Sequence, residues 1–562
     1  MTGTTTSHQH DPHSTVYDKQ HHQVDSVSNA HDDEVLSVVE GKQPHEHGHS
    51  DWLPSDPFRR TIEIIKYTWS TCLVLFSLCV IFYSVSQRYC ILQAHPAALF
   101  IILFAATLLL AYVEALHYAN VAVEKWDMTP YKERFPRACE TQKLVKTNKL
   151  VQQFLVGRQF FVIFVVFTIS EITSFPYIDK NMWGMPSTFV LIICQVGIPG
   201  IMWVLTIGQL IPQLYVEEFT LPFLDLYGCH LVTRVCFAAE FIGICHFSWI
   251  LFHTVSTVLF GFIVETAATP NNEFAVISAD DKVVDSKTNN LENGVELTIK
   301  NVQENNAVLS GGAEATPAER RVEFDETSVS DEALVEKTWY DWVWDAFRYA
   351  WSSFVTLGSV LIVIVGIWHH YSVLPVPVPA LYIIFVGALT LLFYLEGLMI
   401  CIVATQFWDP ESFRETHPRA YKIHKVVNQP DVLKRFIVGR QFFTVLTNFL
   451  IAQIAVFPHW PSDGYDPVLF FIVIRSGLVG VMITLAFAQL CPELLAARYP
   501  LFFMNMYGSY SVVILSLFIE AMGIGHCAWL TFYSTRKFFC GKYFHQTDLR
   551  PDLIEVKKTD AV

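Results

Sequence analysis

The sequence predicts an all-α polytopic membrane protein made of two copies of one helical unit. Three observations carry that reading. Of the 562 residues 52% are apolar, 14% aromatic and 16% charged, too greasy for an ordinary soluble domain. Apolar runs of bilayer-crossing length, about 20 residues in a helix, recur along the chain. The stretch Phe154-Leu-Val-Gly-Arg-Gln-Phe-Phe161 returns nearly letter for letter as Phe436-Ile-Val-Gly-Arg-Gln-Phe-Phe443. At the same offset Tyr67, Trp69 and Ser70 match Tyr349, Trp351 and Ser352, Glu114 matches Glu396, and Pro136-Arg137-Ala138 matches Pro418-Arg419-Ala420. After a two-residue shortening, Gln209, Tyr227, Gly228, Glu240, Gly243 and His246 match Gln489, Tyr507, Gly508, Glu520, Gly523 and His526.

In order along the chain, residues 1–60 lack any apolar period and are acidic and His-rich, with His45, His47 and His49 close together. They predict a disordered, solvated tail, with weak metal binding as the alternative. The first repeat, 61–264, holds apolar runs near 67–87, 96–120, 154–175, 187–211 and 229–260. Residues 265–340 are acidic and rich in Asn, Ser, Thr and Gly, a disordered linker. The second repeat, 341–540, holds runs near 349–371, 379–405, 436–457, 467–491 and 507–534, and 541–562 form a short tail. This gives five spans per half and ten in all. Tyr67, Trp69, Tyr349 and Trp351 stand where interfacial aromatics belong. No apolar core near the N-terminus resembles a cleavable signal peptide.

The net charge of −15 resides almost wholly in the tail and the linker, so it implies no basic or nucleic-acid partner. Twelve cysteines include no CxxC pair, which excludes a disulfide framework and a zinc ribbon. Arg59, Arg60 and Lys66 before the first run, and Arg536, Lys537 and Lys542 after the last, place both termini in the cytoplasm. Helix six is entered through Glu336, Asp341 and Asp345, which places the linker outside. An odd number of spans per half then makes the two repeats inverted. Two features favour a parallel arrangement instead: the loops 123–153 and 407–437 carry seven and six Lys/Arg, and the linker lacks an Asn-x-Ser/Thr acceptor. The reading kept is the inverted one, a common plan of secondary transporters with the substrate between the halves.

Ionisable and amide groups inside apolar runs are costly, so each is a candidate for function. Glu114 ends helix two and Arg158 begins helix three, on one membrane side, where each offsets the other's desolvation. Glu396 and Arg440 repeat the relation. With inverted halves, one pair would gate each face. Gly157 and Gly439 allow close approach of a helix or a substrate. Gln159, Gln441, Gln209 and Gln489 each offer a donor and an acceptor. Glu240, Gly243 and His246 share a helix face, as do Glu520, Gly523 and His526, and their carboxylate and imidazole suit a cation or a proton. For the arginines snorkelling is the structural alternative, for the glycines ordinary close packing, and for Gln209, Gln489 and the Glu-Gly-His motifs helix–helix hydrogen bonding. No nucleophile triad, phosphate loop or metal-spaced cluster argues for an enzyme.

Gly157-Arg158-Gln159, Gly439-Arg440-Gln441, Gly208-Gln209-Leu210, His95-Pro96-Ala97-Ala98 and the Pro136 and Pro418 segments resemble the silicon transporters of diatoms and related algae. That resemblance implies ten helices in two five-helix halves, cytoplasmic termini, and sodium-coupled uptake of silicic acid with no other cofactor. It implies a plasma-membrane location, or a vesicle or vacuole membrane. The resulting reading is a carrier working by alternating access between the two repeats, with Glu114, Arg158, Gln159, Glu396, Arg440, Gln441, Gln209 and Gln489 lining substrate or gate positions. The family's helix-two motif is Glu-Gly-x-Gln; here it reads Glu114-Ala-Leu-His117 and Glu396-Gly397-Leu-Met399. Both glutamines are lost, and His117 is a hydrogen-bonding substitute where Met399 is not. The alternatives are a channel or carrier for another small polar solute, and a non-transporting sensor or scaffold.

Overall fold

The computed structural model describes residues 56–123, 126, 128–146, 150–178, 182–260, 339–429, 431–461 and 464–543. Nearly all of the His-rich tail and of the acidic linker, and most of the C-terminal tail, lie outside them. The chain divides into two units, Met1–Trp69 and Ser70–Val562. The described part of the first is the opening of helix α1 (Pro57–Ser86), where Lys66 pairs with Glu63 at 3.0 Å. The second unit holds the rest of α1 and every later helix.

In the first half α2 (Pro96–Val123) is followed by a short α3 (Pro136–Lys146) in the basic loop and by α4 (Leu150–Thr173). A segment α5 (Ser187–Val190) runs through a π turn into α6 (Ile198–Glu218), and α7 (Tyr227–Phe241) and α8 (Phe247–Phe260) close the half. The second half repeats the order: α9 (Trp339–Trp368), α10 (Val378–Ala404), α11 (Pro418–Val427), α12 (Val432–Ala455), α13 (Pro467–Phe470), α14 (Leu478–Arg498), α15 (Ser509–Ala521) and α16 (His526–Tyr543). Pro57, Pro96, Pro136, Pro418 and Pro467 each open a helix, where a missing N–H is no loss. Lipid offers no backbone partners, so helical pairing is what this apolar composition allows.

Burial sorts the helices into shells. In their most apolar stretches α1, α2, α9 and α10 are 28–50% buried, whereas α4, α6, α12 and α14 are 67–78% buried. Leu75, Phe104 and Leu108 on the outer helices of the first half, and Phe354, Leu361 and Ile383 on those of the second, face outward and need lipid. The inner four helices bring the halves together. The outer helices also cross over: the Ser70 hydroxyl donates to Ile524 O at 2.6 Å and accepts from Cys527 N–H, and the Ser352 hydroxyl donates to Ile244 O at 2.7 Å and accepts from Phe247 N–H. Each half's first helix thus fastens the break in the other half's last one.

The expected inversion does not hold. Near the ends of α4 and α12, Gln453 Nε2 donates to Ser174 Oγ at 2.9 Å, so both helices finish at one place. Near their starts, Arg158 and Arg440 both act on the His117 ring. At the outer edge of that same end Lys434, in the first turn of α12, pairs with Glu217 at the close of α6. Inverted repeats would run α4 and α12 antiparallel and put these residues on opposite faces. The halves are instead parallel, with both basic loops at one end, and the idea of one gate per face falls with the inversion.

The reason lies in the fifth helix of each half. Arg137 of the basic loop lies 3.4 Å over the Tyr227 ring at the start of α7. From there α7 runs back along α4, with Phe237 on Phe154 and the Cys236 carbonyl over Gly157. Gly243 then turns at φ +85°, and Leu251, Phe252 and Val255 of α8 pack into the cluster holding Cys491 and Leu495 near the basic end of α14. The pair α15–α16 is bent by 53°, and Thr535 and Arg536 reach Tyr215 and Glu218 at the basic end of α6. Both broken helices begin and end on the basic-loop side. Among the described residues eight helices are long and apolar enough to cross a membrane, with α15–α16 the one bent pair that would add a ninth. Four crossings per half, not five, is the count this geometry supports, and an even count gives parallel repeats.

Candidate functional site

Antiparallel packing of α2 on α4 sets Glu114 Oε1 3.6 Å from Arg158 Nη1, and α10 on α12 sets Glu396 Oε2 3.0 Å from Arg440 Nη1. All four side chains are at least 90% buried. A buried ion pair survives there by satisfying its remaining polar atoms nearby. Arg158 donates to Gln159 Oε1 and Arg440 to Gln441 Oε1 at 3.1 Å. Gln213 Nε2 donates to Glu114 and Thr444 Oγ1 to Glu396, both at 3.3 Å.

The two constellations form one site. Gln159 Nε2 donates to Gln489 Oε1 at 2.5 Å, a bond between the halves. His117 feels both arginines, and Glu493 feels Glu396 and both arginines. Several buried atoms of this cluster have no protein partner: the Nε groups of Arg158 and Arg440, Gln209 Oε1 and His117 Nδ1. The set mixes obligate donors, an acceptor and an imidazole nitrogen that serves as either. Such atoms are costly to bury unmatched, and together they offer both donors and acceptors at one place.

Other residues singled out in the sequence have different surroundings. A Cβ on Gly157 would lie 1.9 Å from the Cys236 carbonyl, and one on Gly439 1.8 Å from that of Ser516. These glycines face α7 and α15 and set helix packing rather than line the polar cluster. Glu240 lies 3.9 Å from His246 and 4.0 Å from Arg348, which also pairs with Asp345. Glu520 accepts from Arg435 Nε at 2.7 Å, and His526, 9% exposed, donates its N–H to Gly523 O. Paired with arginine, both carboxylates fasten a broken helix to its neighbour. Among the described residues no group of three or more His, Cys, Asp or Glu could hold a metal ion.

The family model of the silicon transporters matches residues 59–308 and 341–546, most of the chain and both halves. The chain belongs to the silicon transporter family. No curated protein and no solved structure matches it. In this silicon transporter family member the altered helix-two motif has a legible geometry. His117 lies within reach of both site arginines, while Gly397 is needed because a Cβ there would stand 2.1 Å from the Phe503 ring. Three residues of the site were not singled out in the sequence. Gln213 and Glu493 are repeat equivalents one helical turn beyond Gln209 and Gln489, and that spacing was the available signal. Thr444, whose equivalent is Val162, carried none.

Proposed function

We propose that this protein takes up silicic acid by sodium-coupled alternating access, with the Gly-Arg-Gln cluster between the halves as the substrate site. The observation that carries the reading is the mixed set of unpartnered buried atoms around Arg158, Arg440, Gln209 and His117. Silicic acid is small, uncharged near neutral pH and covered in hydroxyls, each of which donates and accepts. It matches that set where an anion or an apolar solute would not. An uncharged solute draws no energy from the membrane potential, so concentrating it needs a coupled cation. The bond from Gln159 to Gln489 is a seam about which the halves rock. Positive-inside bias puts both basic loops, and with them both termini, in the cytoplasm. A plasma-membrane location follows from an uptake role.

The experiment is silicic acid uptake into liposomes containing the purified protein. An imposed inward sodium gradient is expected to drive accumulation above equilibrium; a passive pore would only equilibrate. Gln441→Ala and Gln489→Ala each remove a buried hydrogen-bonding amide, about 1–1.5 kcal/mol, so uptake should fall roughly tenfold with the protein still folded and inserted. Wild-type kinetics in both variants would take the cluster out of the transport path.

A further inference from the structure

Further along α4 and α12, away from the basic loops, the repeat-equivalent positions hold Glu171 and Gln453, and this exchange of carboxylate for amide has a chemical consequence. Gln453, fully buried, donates from Nε2 to Ser174 Oγ and to Val196 O, both at 2.9 Å. The Val196 carbonyl is reachable because the inner helix is broken there: a π turn ends at Gln195 and Gly197 takes φ +80°. The second half has the same break, a π turn Phe471–Arg475 followed by Gly477 at φ +68°.

Glu171 occupies the matching place against that break. Its Oε1 lies 3.0 Å from where a Cβ on Gly477 would stand, as Gln453 Nε2 lies 3.3 Å from the same point on Gly197. Yet the partners that suit an amide donor do not suit a carboxylate. The Ser174 hydroxyl is replaced by the Val456 isopropyl group, 3.2 Å from that point, and the equivalent of the Val196 carbonyl is another acceptor, the Ser476 carbonyl. Glu171 is 4% exposed, its Oε1 has no partner, and among the described residues no ion pair reaches it. The nearest basic residue along the break, Arg475, turns outward over the Phe470 ring at 5.6 Å. A buried carboxylate with an oxygen left unpartnered is not a stable arrangement without positive charge beside it.

We propose that Glu171 and the broken segment Arg475–Gly477 form a binding site for one monovalent cation, an alkali-metal ion or a proton. One unit of charge balances the lone carboxylate, whereas a divalent ion would leave an excess. Unwound backbone at a helix break is where transporters coordinate coupling ions. The broken helix also carries Gln489, which holds Gln159 across the halves, so occupancy at the break bears on the geometry of the substrate cluster. Its role in coupling rests on the transport reading; the existence of the site does not. Glu240 and Glu520, by contrast, each have an arginine beside the carboxylate.

The test uses full-length protein in detergent, with thermal unfolding followed in sodium chloride against choline chloride at equal ionic strength and pH. Sodium should raise the wild-type midpoint by about 2–5 °C, and Glu171→Gln, which installs the amide that Gln453 already provides in the other half, should abolish the rise. If sodium does nothing to wild type but raising the pH destabilises it and not Glu171→Gln, the bound cation is a proton. Identical responses of both proteins to sodium and to pH overturn the proposal. Should the variant not fold, carbodiimide modification of Glu171 in the wild type, mapped by mass spectrometry, decides: protection by sodium against choline at fixed pH, or reactivity that persists at a pH where exposed carboxylates no longer react, supports the site, and the absence of both overturns it. A failed transport reading would show separately, as sodium-dependent stabilisation without silicic acid flux.

Discussion

At the scale of single residues, neighbouring letters of the repeated motif do different work. Gly157 and Arg158 are neighbours in one motif, yet the glycine faces a helix backbone and the arginine a polar cluster. Gly157→Ala and Gly439→Ala would each drive a methyl into a carbonyl that is itself held in α7 or α15. Overpacking of this kind costs about 1–3 kcal/mol. The expected outcome is a lower unfolding midpoint for the solubilised protein with the Michaelis constant for the solute little changed. A raised Michaelis constant at unchanged stability would return these glycines to the substrate site. The sequence made Glu114, Arg158, Gln159 and their counterparts visible because polar groups in apolar runs are expensive. It could not separate packing from lining at a glycine, since both uses need the same absence of a side chain.

At the scale of elements, apolar runs and proline starts located the helices, and the repeat located their counterparts. What they could not give was the path of the fifth helix. The runs near 229–260 and 507–534 are as apolar as true spans, but Gly243 and Gly523 at positive φ break both, and each returns to the side from which it started. Counting it as a crossing gave the wrong parity and hence inversion. The Lys/Arg content of the two long loops pointed the right way, because charge flanking a span reports side while hydropathy reports only length. The arrangement predicts that Glu133→Cys and Glu415→Cys, exposed positions in the two basic loops, react with a membrane-impermeant maleimide from the same face in a cysteine-depleted background. Labelling from opposite faces would restore the inverted arrangement.

At the scale of the whole molecule, the halves are joined where no sequence pattern announces it: Gln159 to Gln489, Ser174 to Gln453, Ser70 and Ser352 to the opposite breaks. Two-fold exchange of this kind lets small shifts at one break reach the other half, since every inner helix touches both. One cross-half contact lies at the surface and makes the arrangement measurable. Lys434 Nζ stands 3.6 Å from Glu217 Oε1, both more than 60% exposed. An exposed pair contributes about 0–1 kcal/mol, so Lys434→Ala should leave uptake and stability near wild type. The same two groups are within reach of zero-length carbodiimide coupling. With a protease site placed in the linker between the halves, coupling before cleavage should keep the two fragments in one band on a denaturing gel, and Lys434→Ala should release them. In an inverted molecule these residues would lie a membrane thickness apart, about 30 Å, and no coupling would form. Fragments that separate in the wild type as fully as in Lys434→Ala would therefore refute the parallel packing on which the shared polar cluster depends.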